Sequence, residues 1–212
     1  MKLAKSLNRL GTETAFSVLA EAKKIEATGK PMIHLGLGQP DFKTPKHVVE
    51  AAKKALDDGH HGYVLSNGIL ECRQAVSRKI KKLYNQDVDP ERIIIMPGGK
   101  PTLHYAIQCF GEPGVEIIHP TPAFPIYESM INYTGSTPVP YDLTKDKDLK
   151  FNAEEILSLI TEKTRLLILI NPNNPTGSFV EKSEIDKLAQ GLENHSHVTI
   201  LSDEIYSRQI FD

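Results

Sequence analysis

Leu166-Leu167-Ile168-Leu169-Ile170-Asn171-Pro172-Asn173-Asn174-Pro175-Thr176-Gly177 joins five branched apolar residues to a loop of proline and asparagine. The apolar run has no polar alternation, so it predicts a strand covered on both faces of a sheet. In the loop, proline fixes φ, and asparagine amides can both donate and accept hydrogen bonds. Outward from this stretch the pattern recurs. Ile93-Ile94-Ile95-Met96, Val115-Glu116-Ile117-Ile118 and Val198-Thr199-Ile200-Leu201 also read as buried strands. Thr137-Pro138-Val139-Pro140 reads as an edge strand, because its prolines lack ladder donors. Helical patterns run from Thr14 to Thr28, His47 to Leu56, Ile69 to Tyr84, Thr102 to Phe110, Ala153 to Ile160 and Lys182 to Leu192. Thr44 is expected to cap the second of these, with Pro45 at its first position; Asn152 and Glu155 suggest a capping box on the fifth. Strand–helix alternation of this kind predicts an α/β domain with a mainly parallel sheet.

The chain has 212 residues, 40% hydrophobic and 25% charged, enough for a real core in one large domain or one domain plus a fragment. Its formal charge is −2 with both signs interspersed, so it lacks the basic footprint of a nucleic-acid binder. The longest strongly apolar run, Leu166 to Ile170, falls far short of the roughly 20 residues of a membrane helix. No apolar signal core follows Met1-Lys2-Leu3-Ala4-Lys5, and a cytoplasmic protein without membrane contact is expected. Cys72 and Cys109 have no metal-type spacing and are expected to be buried, reduced thiols; no metal site is expected.

Ligands of open α/β sheets bind beyond the carboxyl ends of the strands, which directs attention to the loops there. Pro97-Gly98-Gly99-Lys100-Pro101-Thr102 opens a helix; its glycines permit close backbone approach, and the helix start offers free N–H groups to an anion. A plain tight turn is the alternative. It is not a Walker loop, whose first glycine is missing, and Gly36-Leu37-Gly38 lacks the third glycine of a dinucleotide fingerprint. Pro120-Thr121-Pro122-Ala123-Phe124-Pro125-Ile126-Tyr127 places Phe124 at a strand end, either as a flat face for an aromatic ligand or as a core side chain. Ser202-Asp203-Glu204-Ile205-Tyr206 puts a carboxylate at another strand end, where burial without a cationic partner is costly and solvation is the alternative.

In combination and order these segments resemble the class I/II aminotransferases of fold type I. The resemblance rests on Gly36-Leu37-Gly38-Gln39-Pro40-Asp41-Phe42, Gly62-Tyr63 with Asn67-Gly68, the run Asn171 to Gly177, and the spacing of Asp203 and Tyr206, and it covers nearly the whole chain. It implies a three-layer αβα domain with a mainly parallel sheet, the fold type I large domain, incomplete at its C-terminus. Residues 1–45 would be an N-terminal arm and small-domain segment, and 46–212 the large domain cut short, with the C-terminal small domain absent. It implies pyridoxal phosphate as cofactor and a homodimer acting on an amino acid and a 2-oxo acid. Asp203 would face the pyridine nitrogen, Asn174 and Tyr206 the ring 3′-oxygen, and Phe124 would stack on the ring. Gly98, Gly99 and Lys100 would hold the phosphate, Tyr63 would reach the neighbouring subunit's phosphate, and Gly38 with Asn174 would meet the substrate. For the loop hydroxyl frequent in the family, the nearest candidate is Thr102. The family's covalently bonding lysine lies beyond the Asp203 strand, so no catalytic residue is expected before Asp212, and the chain alone is expected to be inactive. Other reactions at an amino acid's Cα use the same cradle: carbon–sulfur lysis, aminocyclopropane-carboxylate synthesis, decarboxylation. A non-catalytic binding protein of the same fold is the remaining alternative.

Overall fold

The structure, a computed structural model, describes residues 2–11 and 14–211. Met1 and Asp212, cited above for the chain's two ends, lie outside the described residues. By contacts the chain forms two compact units, Met1–Glu13 with Lys100–Asp212, and Thr14–Gly99.

The first unit holds the sheet. Its strands are β1 (Glu116–Thr121), β2 (Thr137–Asp142), β3 (Thr164–Ile170) and β4 (Thr199–Asp203), in the order β2-β1-β3-β4. All pairings are parallel. Parallel neighbours need crossovers, and helices supply them: α5 (Ile126–Thr134), α6 (Ala153–Ser158) and α7 (Lys182–Leu192) join successive strands. Adjacent residues of a strand point to opposite faces, and at the central strands β1 and β3 both faces are covered. β4, read from its sequence as a buried strand, is not covered in this way, since it pairs on one side with β3 and Ile200 is 46% exposed. Ile117, Leu166, Ile168 and Ile170 pack with Leu103 and Ile107 of α4 (Gly99–Phe110) and with Tyr127, Met130 and Ile131 of α5. Ile118 and Leu167 pack on the other side with Ala153, Ile156 and Leu188 of α6 and α7. That is the expected αβα layering. β2 is an edge strand, as its prolines foretold; Pro138 and Pro140 stand opposite Ile117 and His119 of β1.

The side chain of Asn152 accepts from the Glu155 N–H at 3.0 Å and caps α6. Thr44 does not cap α2 (Lys46–Asp57); the cap position falls one residue later, on Pro45, whose ring offers no acceptor. The sequence patterns omitted α5 because its start lies behind the prolines of the Pro120–Pro125 loop. Its buried residues, Tyr127, Met130 and Ile131, nevertheless follow helical spacing. The helix stops at Gly135, whose φ of +87° favours glycine; a Cβ there would also stand 3.2 Å from Pro113. The N-terminal segment rests on α5. Arg9 Nε and Nη2 donate to the Asn132 and Tyr133 carbonyls, each at 2.7 Å, and so satisfy the helix's open C-terminal end.

In the second unit, α1 (Thr14–Glu26), α2 and α3 (Leu70–Tyr84) precede the segment Ile93–Met96. That segment is not the expected strand. A strand needs a ladder partner, and among the described residues none lies along it; Ile95 N bonds instead to Asn67 O at 3.0 Å, and Ile94 is 64% exposed. The cysteines also depart from expectation: Cys72 is half-buried and Cys109 exposed. Cys109 lies two positions from buried Ile107 on α4, about 200° around the helix, and therefore faces away from the sheet.

His119 of β1 is 4% exposed, its Nδ1 donating to Pro120 O at 3.0 Å while Nε2 has no partner. Burial holds its pKa below the ordinary 6.5. The unfolded chain therefore takes up a proton near pH 6.5 that the folded chain accepts only at lower pH. Stability should fall as pH drops from that point through the folded pKa, then level off. Urea unfolding at stepped pH between about 7.5 and 5 would read this slope, which His119→Gln should flatten. An unaltered slope in that variant would contradict the assignment.

Candidate functional site

Three strand-end loops meet at the carboxyl edge of the sheet. Beyond β1, the chain turns through a cis Thr121–Pro122 peptide and enters α5. Beyond β3, Asn171–Pro172 and Asn174–Pro175 are both cis, and the loop closes at Gly177, where φ is +71°. Beyond β4, Asp203 begins a tight turn in which its Oδ1 accepts from Ile205 N at 3.0 Å.

Side chains stitch these loops together. Asn173, a buried residue, donates from Nδ2 to Pro122 O at 3.2 Å and to Thr176 Oγ1 at 2.8 Å, joining the β1 and β3 loops. The Asn171 N–H donates to Asp203 O at 3.1 Å, joining the β3 and β4 loops. Asn174 Nδ2 donates to the Tyr206 phenol oxygen at 3.2 Å. Tyr127 OH donates to Asp203 Oδ2. Tyr127 is 1% exposed, and its phenol is pushed well above the ordinary tyrosine range, first by burial and then by the bond to Asp203. It is thus a fixed hydrogen donor rather than an acid.

Asp203 was expected to be solvated or to need a cationic partner if buried. It is half-buried with two neutral donors, Tyr127 OH and Ile205 N–H, arriving from different elements. Tyr127 and Asn173 are the residues the sequence reading did not single out. The signal for Tyr127 was its place in the unread helix α5. Phe124 is half-buried and packs against the core cluster on the α4–α5 face. Lys100 Nζ stands 5.5 Å from its ring centroid, within reach of the ring quadrupole. The lysines of α7 face water: Lys182 pairs with Asp186 and Lys187 with Glu184 on the helix surface.

The remaining expected residues belong to the second unit. Tyr63 is fully exposed, Gly38 has open space around its Cα, and Gly98, with φ of +104°, leads into α4 at Gly99. No helix of the described residues is long and apolar enough to cross a membrane.

The family model described as "Aminotransferase class I and II" matches residues 30–212. This chain belongs to the class I and II aminotransferases. Relatives carry the same name: it is 34% identical over 98% of its length to the aspartate aminotransferase of Bacillus subtilis, covering 53% of that protein. It is 40% identical over 85% of its length to the probable aspartate aminotransferase of Methanocaldococcus jannaschii, covering 47% of that protein. Among solved structures, the aspartate aminotransferase of Rhizobium meliloti superposes with a TM-score of 0.93 at 29% identity, covering all of this chain and 53% of that one. The chain spans about half the length of the relatives it matches. Aminotransferases of this class depend on pyridoxal phosphate. The donor set in the first unit fits that group: a carboxylate with unused acceptor capacity, an amide and phenol pair, and an aromatic ring at one sheet edge.

Proposed function

We propose that this chain forms part of a pyridoxal-phosphate-dependent aminotransferase that moves an amino group between an amino acid and a 2-oxo acid. The observation that carries the reading is Asp203, held at the end of β4 by Tyr127 and the Ile205 N–H. When bound, the cofactor supplies an electron sink for the substrate's Cα. The residues of this chain bind and orient it. The carboxylate of Asp203 would accept from the pyridine N–H and keep that nitrogen protonated. Tyr206 already accepts from Asn174, which leaves its own O–H to donate to the ring 3′-oxygen alongside the amide. Phe124 would lie against the ring, and Gly98, Gly99 and Lys100 would meet the phosphate at the start of α4. Gly38 and Asn174 would contact the substrate. The division into a segment 1–45 and a large domain 46–212, and a cytoplasmic location, go with this reading.

Tyr63 would reach a second copy. It is fully exposed, and Val64 and Leu65 beside it are 64% and 66% exposed, apolar surface suited to a partner. Aspartate is the first amino donor to offer, because the relatives are named for it.

Titrating the protein with pyridoxal phosphate, with circular dichroism read in the cofactor's absorption band and mass read in the ultracentrifuge, tests the reading. A saturable induced band and a dimer mass are expected, with weaker binding of pyridoxal lacking the phosphate. Absence of any induced band would overturn the cofactor assignment, and a monomer throughout would overturn the role of Tyr63.

A further inference from the structure

Arg73 of α3 is 1% exposed and is the bulkiest of the fully buried side chains. A guanidinium is always charged, and burying one is costly unless its donors are bonded. Nε donates to Gly68 O at 3.2 Å, and Nη1 donates to Pro90 O at 2.9 Å and to Glu91 Oε1 at 2.8 Å. Glu91 is 67% exposed, so solvent screens that ion pair, and the specific partners are the two carbonyls. One carbonyl lies at the end of the loop that carries Tyr63. The other opens the 3₁₀ turn Pro90–Arg92, which runs directly into Ile93.

A second tie lies close by. The Ile95 N–H donates to Asn67 O at 3.0 Å. Gly68, with φ of +96°, approaches Ile95 so closely that a Cβ would stand 2.8 Å from Ile95 Cβ. Three residues beyond Ile95 comes Gly98, whose N–H donates to Met96 O at 2.9 Å as the chain turns into α4. The Tyr63 loop and the segment ending in Gly98-Gly99 are therefore held together by Arg73 on one side and the Gly68–Ile95 contact on the other.

We propose that Arg73 is a positioning residue for phosphate recognition: by tying Gly68 to the Pro90–Arg92 turn, it sets the Gly98-Gly99 turn in register for a phosphate ester. The proposal rests on the reading of Gly98-Gly99 as a phosphate contact. Arg73 itself touches no ligand. It acts through the Gly68–Ile95 contact, so the order of the Tyr63 loop and the geometry of the glycine turn rise and fall together.

Arg73→Met keeps the bulk and removes every donor, whereas Gly68→Ala keeps Arg73 and wedges the loop away from Ile95. Both should speed hydrogen exchange at the Ile95 and Gly98 amides while leaving the β3 amides protected. Both should weaken binding of pyridoxal phosphate about tenfold, as expected for loss of charge-assisted bonds, and leave binding of pyridoxal unchanged. Arg73→Lys should fall between, since an ammonium cannot span the same acceptors. A general loss of stability would weaken both ligands alike, so the ratio of the two affinities separates positioning from bulk support. Where Arg73→Met exposes the β3 amides too, Gly68→Ala carries the test. Unchanged exchange at Ile95, or faster exchange with an unchanged affinity ratio, would overturn the proposal. A wild-type protein that does not prefer pyridoxal phosphate over pyridoxal would overturn the reading of Gly98-Gly99 instead, while exchange still decides whether Arg73 makes the tie.

Discussion

Asp203→Ala is expected to weaken pyridoxal phosphate binding by about 100-fold, because the lost bond joins two charges at a site water reaches only in part. An ionised carboxylate offers about four acceptor positions, and Ile205 N–H and Tyr127 OH engage one on each oxygen. Capacity remains for a pyridinium N–H. A hydrogen bond to a charged group contributes roughly 1.5–3 kcal/mol, and about 1.4 kcal/mol is tenfold in affinity, so the upper end of that range gives the stated effect. Asp203→Asn should fall between, because its amide oxygen can still accept but carries no charge to hold the pyridine nitrogen protonated. Affinities from the dichroism titration, taken at neutral pH and at a temperature well below each variant's own unfolding midpoint, check this. A variant that binds within about twofold of wild type would mean that Asp203 does not face the ring nitrogen.

The parts of this fold that were legible in the sequence are those decided by local chemistry. Leu166 to Ile170 is branched and unbroken, and it forms the strand covered on both faces. Pro138 and Pro140 lack donors, and they sit in the edge strand. Asp203 and the Asn171–Gly177 loop stood out because each lies at the carboxyl end of an apolar run, and the structure brings them together, although the run before Asp203 is exposed to half-buried rather than buried. What failed was whatever depends on partners elsewhere in the chain. Ile93–Met96 has a strand's composition, but apolarity cannot supply a neighbour with free carbonyls and N–H groups. Cys109 is apolar enough for a core, yet its phase on α4 turns it outward. Arg73 reads as an ordinary surface arginine of an amphipathic helix until the carbonyls of Gly68 and Pro90 are seen around it. Tyr127 was hidden twice, by the prolines before α5 and by looking like any aromatic on a buried helix face.

Tyr127→Ala should cost about 3–5 kcal/mol of stability, and Tyr127→Phe about 1–3 kcal/mol, and the difference separates packing from hydrogen bonding. The ring is packed with Met130 and Ile131 of α5 against Ile117 and Leu166 of the sheet, so its removal leaves a cavity that a close-packed core cannot fill. Phenylalanine fills that space and deletes only the donor to Asp203 Oδ2. The carboxylate then keeps the Ile205 N–H as its partner, and its orientation at the strand end loosens. Because burial and the bond to Asp203 both push the phenol upward, it remains protonated throughout the neutral range, so the substitution deletes a donor that is present at the pH of the measurement. Urea unfolding of Tyr127→Phe, Asp203→Asn and the double variant at pH about 7 closes a thermodynamic cycle. The expected coupling is on the order of 1 kcal/mol or more, since the two residues share one bond that either substitution alters. Additive effects, with no coupling beyond a few tenths of a kcal/mol, would show that Tyr127 packs beside Asp203 without holding it.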